Sequence, residues 1–263
     1  MGQVLRRGGR GKPLPYDDVE DGLAITYTNV NTMVRAMYAK VFGASEYEEL
    51  FRQSSVKFCL MYLKGKEEYA EQLSDVEGDI HRGELEKILK DILDKDVEKI
   101  LQLLEKKDQQ KVRDVMAKKW APGIDIVGAR ADVLNILSIY RAKKYFEMGK
   151  AETKKKLIPM NYKLGRDILD KMCEQADIAD LLGVIGTTHY GKVFKYDNDD
   201  METSANEYLY GIYKRELRQG SQELSVIVAY IFLREIEIRN IINIIEGIRY
   251  GLDLGKIKGK LII

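Results

Sequence analysis

The side chains able to do covalent or metal chemistry are few and scattered in this chain. His81 and His189 are its only histidines, and no box of ligands at zinc spacing surrounds either one. Cys173 and His189 could be drawn as a nucleophile and its base, but any chain with two of each offers such a pair. Gly186-Thr187-Thr188-His189-Tyr190-Gly191 has the small residues of a phosphate loop, yet reads better as a turn between helices. Lys12 sits among glycines without the following Ser or Thr, or the glycine spacing, of a P-loop. The acids of 197–200 read as a loop. No catalytic residue, metal ligand or cofactor is expected.

What the chain repeats is a different pattern. Residues 132–145 open Asp132-x-x-Asn135-Ile136-Leu137-Ser138-Ile139, and residues 237–250 open Glu237-x-x-Asn240-Ile241-Ile242-Asn243-Ile244. Four residues further on come Lys144-Tyr145 and Arg249-Tyr250. Two such copies imply a duplicated helical unit. On a helical wheel Ile238, Ile241, Ile242, Ile244, Ile245 and Ile248 share one face. Arg239, Asn243, Glu246 and Tyr250 fall opposite, with Asn240 at the edge of the polar side. Glu237 lies inside the apolar arc, and Asp132 takes the equivalent place.

A carboxylate turned toward a core is costly unless it is paired or hydrogen-bonded. Each acid therefore calls for a fixed partner, an arginine or a backbone N–H. Asp132 follows a glycine-containing break and could instead cap its own helix. Glu237 could not, because the helical pattern runs on upstream through Tyr230; Arg234, three residues back, is its local candidate. Acid and Asn either lock adjacent helices of one subunit or grip another protein. Symmetric repetition favours the first.

The elements that position these residues are all helical. Apolar spacing starts near Thr28 with Val30, Met33, Val34 and Met37. A second helix is expected over 46–63, a long charged one after Gly83, then others over 97–104 and 108–120. The first motif helix spans about 131–148. Helices near 164–174 and 177–185 follow, then 205–217 and 222–250. No stretch alternates as a strand should, so the fold class is all-α. Residues 1–22 read as a disordered basic leader carrying Arg6, Arg7, Arg10 and Lys12 among glycines. Residues 23–150 and 151–263 read as two helical repeats.

Composition narrows the function. Forty-three basic residues against 42 acidic ones argue against a nucleic-acid coat. Cys59 and Cys173 suit buried free thiols in a reducing compartment. No N-terminal apolar run resembles a signal peptide. The most apolar stretch, 224–233, meets Arg234 and Glu235 well short of the roughly 20 residues a membrane span needs. Any membrane role is expected to come through partners.

Several features fall in one order. They are Asn31, Arg35, Ala36 and Lys40 on an opening helix; Tyr69; Leu85-Glu86; Asp132-x-x-Asn135 with Arg141-Ala142-Lys143; Leu157-Ile158-Pro159; Thr187-Thr188-His189-Tyr190; and Tyr230-x-x-Leu233-Arg234-Glu235-x-Glu237-x-Arg239-Asn240-Ile241. From Tyr27 onward this resembles the C or d subunit of V-type and archaeal A-type rotary ATPases. The resemblance implies a funnel- or wedge-like array of helices with pseudo-symmetric repeats. It implies a non-catalytic socket on the cytoplasmic face of a membrane, peripheral to it, joining rotor-shaft subunits of the central stalk to the membrane rotor ring for proton or sodium transport. The family carries three repeats where two are seen here. A freestanding helical-repeat adaptor derived from that family is the alternative. Asp132, Asn135, Arg141, Glu235, Glu237, Arg239 and Asn240 are the expected structural or partner-binding residues.

Overall fold

The computed structural model describes residues 17–120, 123–194, 200–220 and 224–263, with side chains from Thr28 onward. Residues 1–16 of the expected leader and residues 197–199 of the acidic loop lie outside this set. Every regular element in it is a helix, so the fold is all-α.

Local chemistry explains where the helices differ from expectation. α1 (Asp17–Tyr38) starts ahead of Thr28, inside the segment read as leader. The single helix expected over 46–63 is two, α2 (Ala44–Phe51) and α3 (Val56–Lys64). Ser55 divides them, because its hydroxyl accepts the Phe58 N–H at 3.4 Å and caps α3. α4 (Glu67–Leu73) carries Tyr69. α5 (Arg82–Leu101) fuses the helix expected after Gly83 with most of 97–104, since Leu85, Leu89, Ile92, Val97 and Ile100 continue one buried stripe. α6 (Lys106–Met116) and α7 (Asp125–Phe146) follow.

The second half runs α8 (Lys150–Lys154), α9 (Arg166–Glu174), α10 (Ile178–Gly186), α11 (Met201–Gln219), α12 (Ser225–Arg249) and α13 (Leu254–Lys258). Asp177, Asp200 and Asp253 cap α10, α11 and α13 through backbone N–H groups. Arg35 of α1 donates to the Leu217 carbonyl at 2.9 Å and to the Gly220 carbonyl, closing the C-terminal end of α11.

The two motif helices organise the packing. α12 is buried along nearly all its length, and α1, α2, α3, α5, α6, α7, α11 and α13 surround it. α7 is flanked by α8, α9, α10, α11 and α12. The contacts correspond in pairs. α9 and α10 rest on α7 as α2 and α3 rest on α12, and α8 follows and covers α7 as α13 does α12. The α13 contact depends on Gly247: a Cβ there would lie 2.5 Å from Ile257 Cδ1. Enclosure of α12 also corrects the wheel. Asn240, placed at the edge of a wet side, is fully buried.

Candidate functional site

Asp132 sits deep within α7, seven residues past its first residue, so it does not cap its own helix. Its Oδ2 accepts the backbone N–H groups of Lys163 at 2.8 Å and Leu164 at 3.1 Å, and the Tyr190 hydroxyl at 2.9 Å. Burial pushes the Asp132 carboxyl pKa above its ordinary value, against the pull of those donors. Burial and the facing carboxylate push the Tyr190 hydroxyl up as well, so it stays a donor.

Glu237 is built into α12 the same way, with one addition. Its Oε1 accepts the Phe42 N–H at 2.7 Å, and its Oε2 accepts from Arg234. Arg234 and Glu237 are 2% and 1% exposed, so the pair is dry. Arg234 also donates to the Tyr69 hydroxyl at 3.2 Å and lies 3.9 Å from Asp96, whose carboxylate accepts from Tyr230 at 2.8 Å. Burial would lower the Arg234 pKa, but Glu237 and the two tyrosines outweigh it and the guanidinium is held charged.

The asparagines complete the correspondence. Asn135 accepts the Ile158 N–H at 2.7 Å and donates to the Ile158 carbonyl at 3.2 Å. Asn240 does the same to Ile262, at 3.2 and 2.7 Å. A side-chain amide has one acceptor and one donor side, matching one residue's N–H and C=O, and so it pins that residue in register. The segments gripped by the acids also match. Phe42 and Leu164 immediately precede Gly43 and Gly165, the N-cap residues of α2 and α9. Tyr69 and Tyr190 follow those glycines at nearly equal intervals.

The remaining expected residues divide. Glu235 pairs with Arg130 of α7 at 2.9 Å, joining the two motif helices, and Arg130 stacks over Phe232 at 4.1 Å. Arg239 is exposed and lines a cavity of about 470 Å³ beside Arg130 and Glu235. Arg141 lies apart from these, paired with Glu202 at 2.8 Å on the surface.

Sequence reasoning missed the backbone donors at 42, 163 and 164, and the roles of Tyr69 and Tyr190. The Gly-to-Tyr interval was their only signal. It named Tyr145 and Tyr250 as the close of each motif copy, with Tyr250 on the polar side of the wheel, but did not single out their exposed apolar neighbours. Tyr145 and Phe146 project from the end of α7, and Tyr250 from the end of α12 near exposed Leu252 and Leu254.

Other surfaces carry different chemistry. A cleft of about 1090 Å³ between α1, α4, α5 and α12 is lined by more acids than bases, including Glu68, Glu71, Asp91 and Asp94. Cys59 and Cys173 are free and buried, and burial raises both thiols, the reverse of what a nucleophile needs. His189 lies 3.2 Å from Lys163 Nζ. Among the described residues no group of three or more His, Cys, Asp or Glu is placed to hold a metal ion. No described helix is long and apolar enough to cross a membrane.

No curated protein matches the chain. A family model described as ATP synthase (C/AC39) subunit matches residues 30–121 and 124–260, a span that takes in both motif helices, α13 and the segments gripped at Phe42 and at 158–164, and stops two residues before Ile262. The chain therefore belongs to the ATP synthase (C/AC39) subunit family.

Proposed function

We propose that this chain is the non-catalytic coupling subunit of the central stalk in a V/A-type rotary ATPase. It joins rotor-shaft subunits to the membrane ring, so that ATP chemistry in the head and proton or sodium movement in the membrane sector are linked. The observation that carries this reading is the family match across both motif helices. The matched clamps on α7 and α12 support it, because a part that passes torque needs helices braced against one another rather than a loose bundle. In this reading 23–150 and 151–263 are two repeats of a funnel- or wedge-like array, held on the cytoplasmic face of the membrane by its partners.

Asp132, Asn135, Glu237 and Asn240 face inward and brace the array. Partner contact falls to outward features: the aromatic ends at Tyr145, Phe146 and Tyr250, Arg141, and the acidic cleft beside α1 and α4. Aromatic side chains are enriched at protein interfaces.

The test is affinity purification of the tagged chain from native membranes. Ring and shaft subunits should come with it, and Tyr145→Ala with Tyr250→Ala should reduce their yield while the circular dichroism spectrum stays unchanged. Folded wild-type chain that retains neither partner would overturn the reading and favour the freestanding adaptor.

A further inference from the structure

The cavity of about 470 Å³ lies between α5, α6, α7 and α12, and its charge is unevenly settled. Two pairs along its wall neutralise themselves: Lys90 with Glu86 at 2.5 Å, and Arg130 with Glu235 at 2.9 Å. That leaves Arg82, Lys118 and Arg239, all three exposed, with Asp94 as the one further carboxylate on the wall. The wall is thus net positive after its internal pairs are formed. Its volume is in the range of small-ligand sites, roughly 300–1,000 Å³.

Two further observations bear on whether the fold itself calls for this charge. Arg239 stands where the first motif copy has Leu134, so the repeat itself does not require a cation there. Lys118 occupies the residue just past the end of α6 with φ +56, a left-handed conformation for which glycine is the usual choice. Its N–H bonds to the Val115 carbonyl at 2.9 Å, and the Lys119 N–H to the Asp114 carbonyl at 2.7 Å, the bonding of a glycine-type helix stop. A lysine held there at a cost in backbone strain suggests a use for the side chain.

We propose that this cavity binds a multiply charged oxyanion of the phosphate class, held by Arg239, Lys118 and Arg82. Planar guanidinium groups match tetrahedral oxyanions through paired N–H donors, while Lys118 adds a point charge. The proposal is independent of the coupling role and is tested on the isolated full chain.

The probe is sodium pyrophosphate, titrated calorimetrically at low ionic strength. Wild type should show saturable one-site binding. Arg239→Ala should weaken it at least tenfold, and Arg52→Ala, at a distant exposed arginine, should leave it unchanged. Lys118→Gly should weaken binding while raising Tm, because glycine accepts the left-handed backbone. That opposite movement separates a binding role from a structural one, and it carries the test if Arg239→Ala fails to fold. Co-sedimentation with phosphatidylinositol-phosphate vesicles, reversed by pyrophosphate, would identify a lipid headgroup as the source. Pyrophosphate binding without vesicle capture would identify a free anion. No saturable binding by wild type, or unchanged affinity in folded Arg239→Ala and Lys118→Gly, would overturn the assignment.

Discussion

Glu237→Ala is the most informative single perturbation. It removes the carboxylate from a pair whose members are 2% and 1% exposed, so solvent cannot screen the arginine left behind. Breaking a buried pair by deleting one partner costs about 3–5 kcal/mol, because a charge remains inside, here countered only by Asp96 at 3.9 Å. The Phe42 N–H also loses its acceptor, a further cost of about 1–3 kcal/mol for a buried donor. These overlap, and we expect a loss of roughly 4–6 kcal/mol, a large share of the roughly 5–15 kcal/mol that holds a typical protein folded. The stranded cation is argued to be the larger part. Arg234→Met combined with Glu237→Leu should therefore be more stable than Glu237→Ala by about 2 kcal/mol or more, since apolar residues can replace a buried ion pair. Urea unfolding followed by circular dichroism measures all the variants, including each single substitution. A double variant whose loss equals or exceeds the sum of its two singles would refute the argument, because the charges would then not be coupled.

The other expectations follow from the same geometry. Asn240→Ala should cost about 1–3 kcal/mol, because it leaves the N–H and C=O of buried Ile262 without the side-chain amide, and Asn135→Ala should cost less, because Ile158 is half-buried and its carbonyl still accepts the Met160 N–H at 2.8 Å; a urea midpoint lowered more by Asn135→Ala than by Asn240→Ala would contradict this. Gly247→Ala should destabilise by about 1–3 kcal/mol through its clash with Ile257, and Gly247→Ala with Ile257→Val should recover part of that loss in Tm. Asp132 has its folded pKa raised by burial, so its contribution is fully present below the unfolded value of about 3.9 and is lost as pH rises through the folded value. Wild type should therefore gain stability relative to Asp132→Asn as pH falls, and a difference that is flat or of opposite slope in urea titrations would contradict this.

What the sequence disclosed was the need, and what it withheld was the partner. Acid at an apolar wheel position states that a donor must exist, and Arg234 was near enough in sequence to be named for Glu237. The Phe42, Lys163 and Leu164 amides carry no side-chain signature, so only the folded chain identifies them. Arg130, partner of Glu235 from 105 residues away, is equally silent in a linear reading. The wheel misplaced Asn240 because it assumes one wet face, whereas neighbours enclose α12 almost completely. Helix existence survived these gaps, since periodicity is local. Boundaries did not always: Ser55 cut one expected helix, and a continuous stripe joined two others into α5.

The two clamps share their parts but join different lengths of chain, and that difference explains how the molecule is braced. On α7 the Asn holds Ile158 and the acid holds Lys163 and Leu164, one short continuous stretch that follows the helix. On α12 the Asn holds Ile262, which also follows its helix, but the acid holds Phe42, from the opposite part of the sequence. α2, α3 and α5 accordingly pack on α12. Arg130 and Glu235 then tie that helix back to α7. Force applied to α2–α5 reaches α12 through the Phe42 N–H held by Glu237, the Tyr69 hydroxyl held by Arg234 and the packing of α2, α3 and α5, and passes on to α7 through the Arg130–Glu235 ion pair. Two side-by-side repeats could hinge where the chain passes from one to the other. Lifting α2–α4 off α12 would strip Glu237 of the Phe42 N–H and Arg234 of the Tyr69 hydroxyl and expose both charges while their own pair within α12 stayed intact, and the cost of that exposure resists bending.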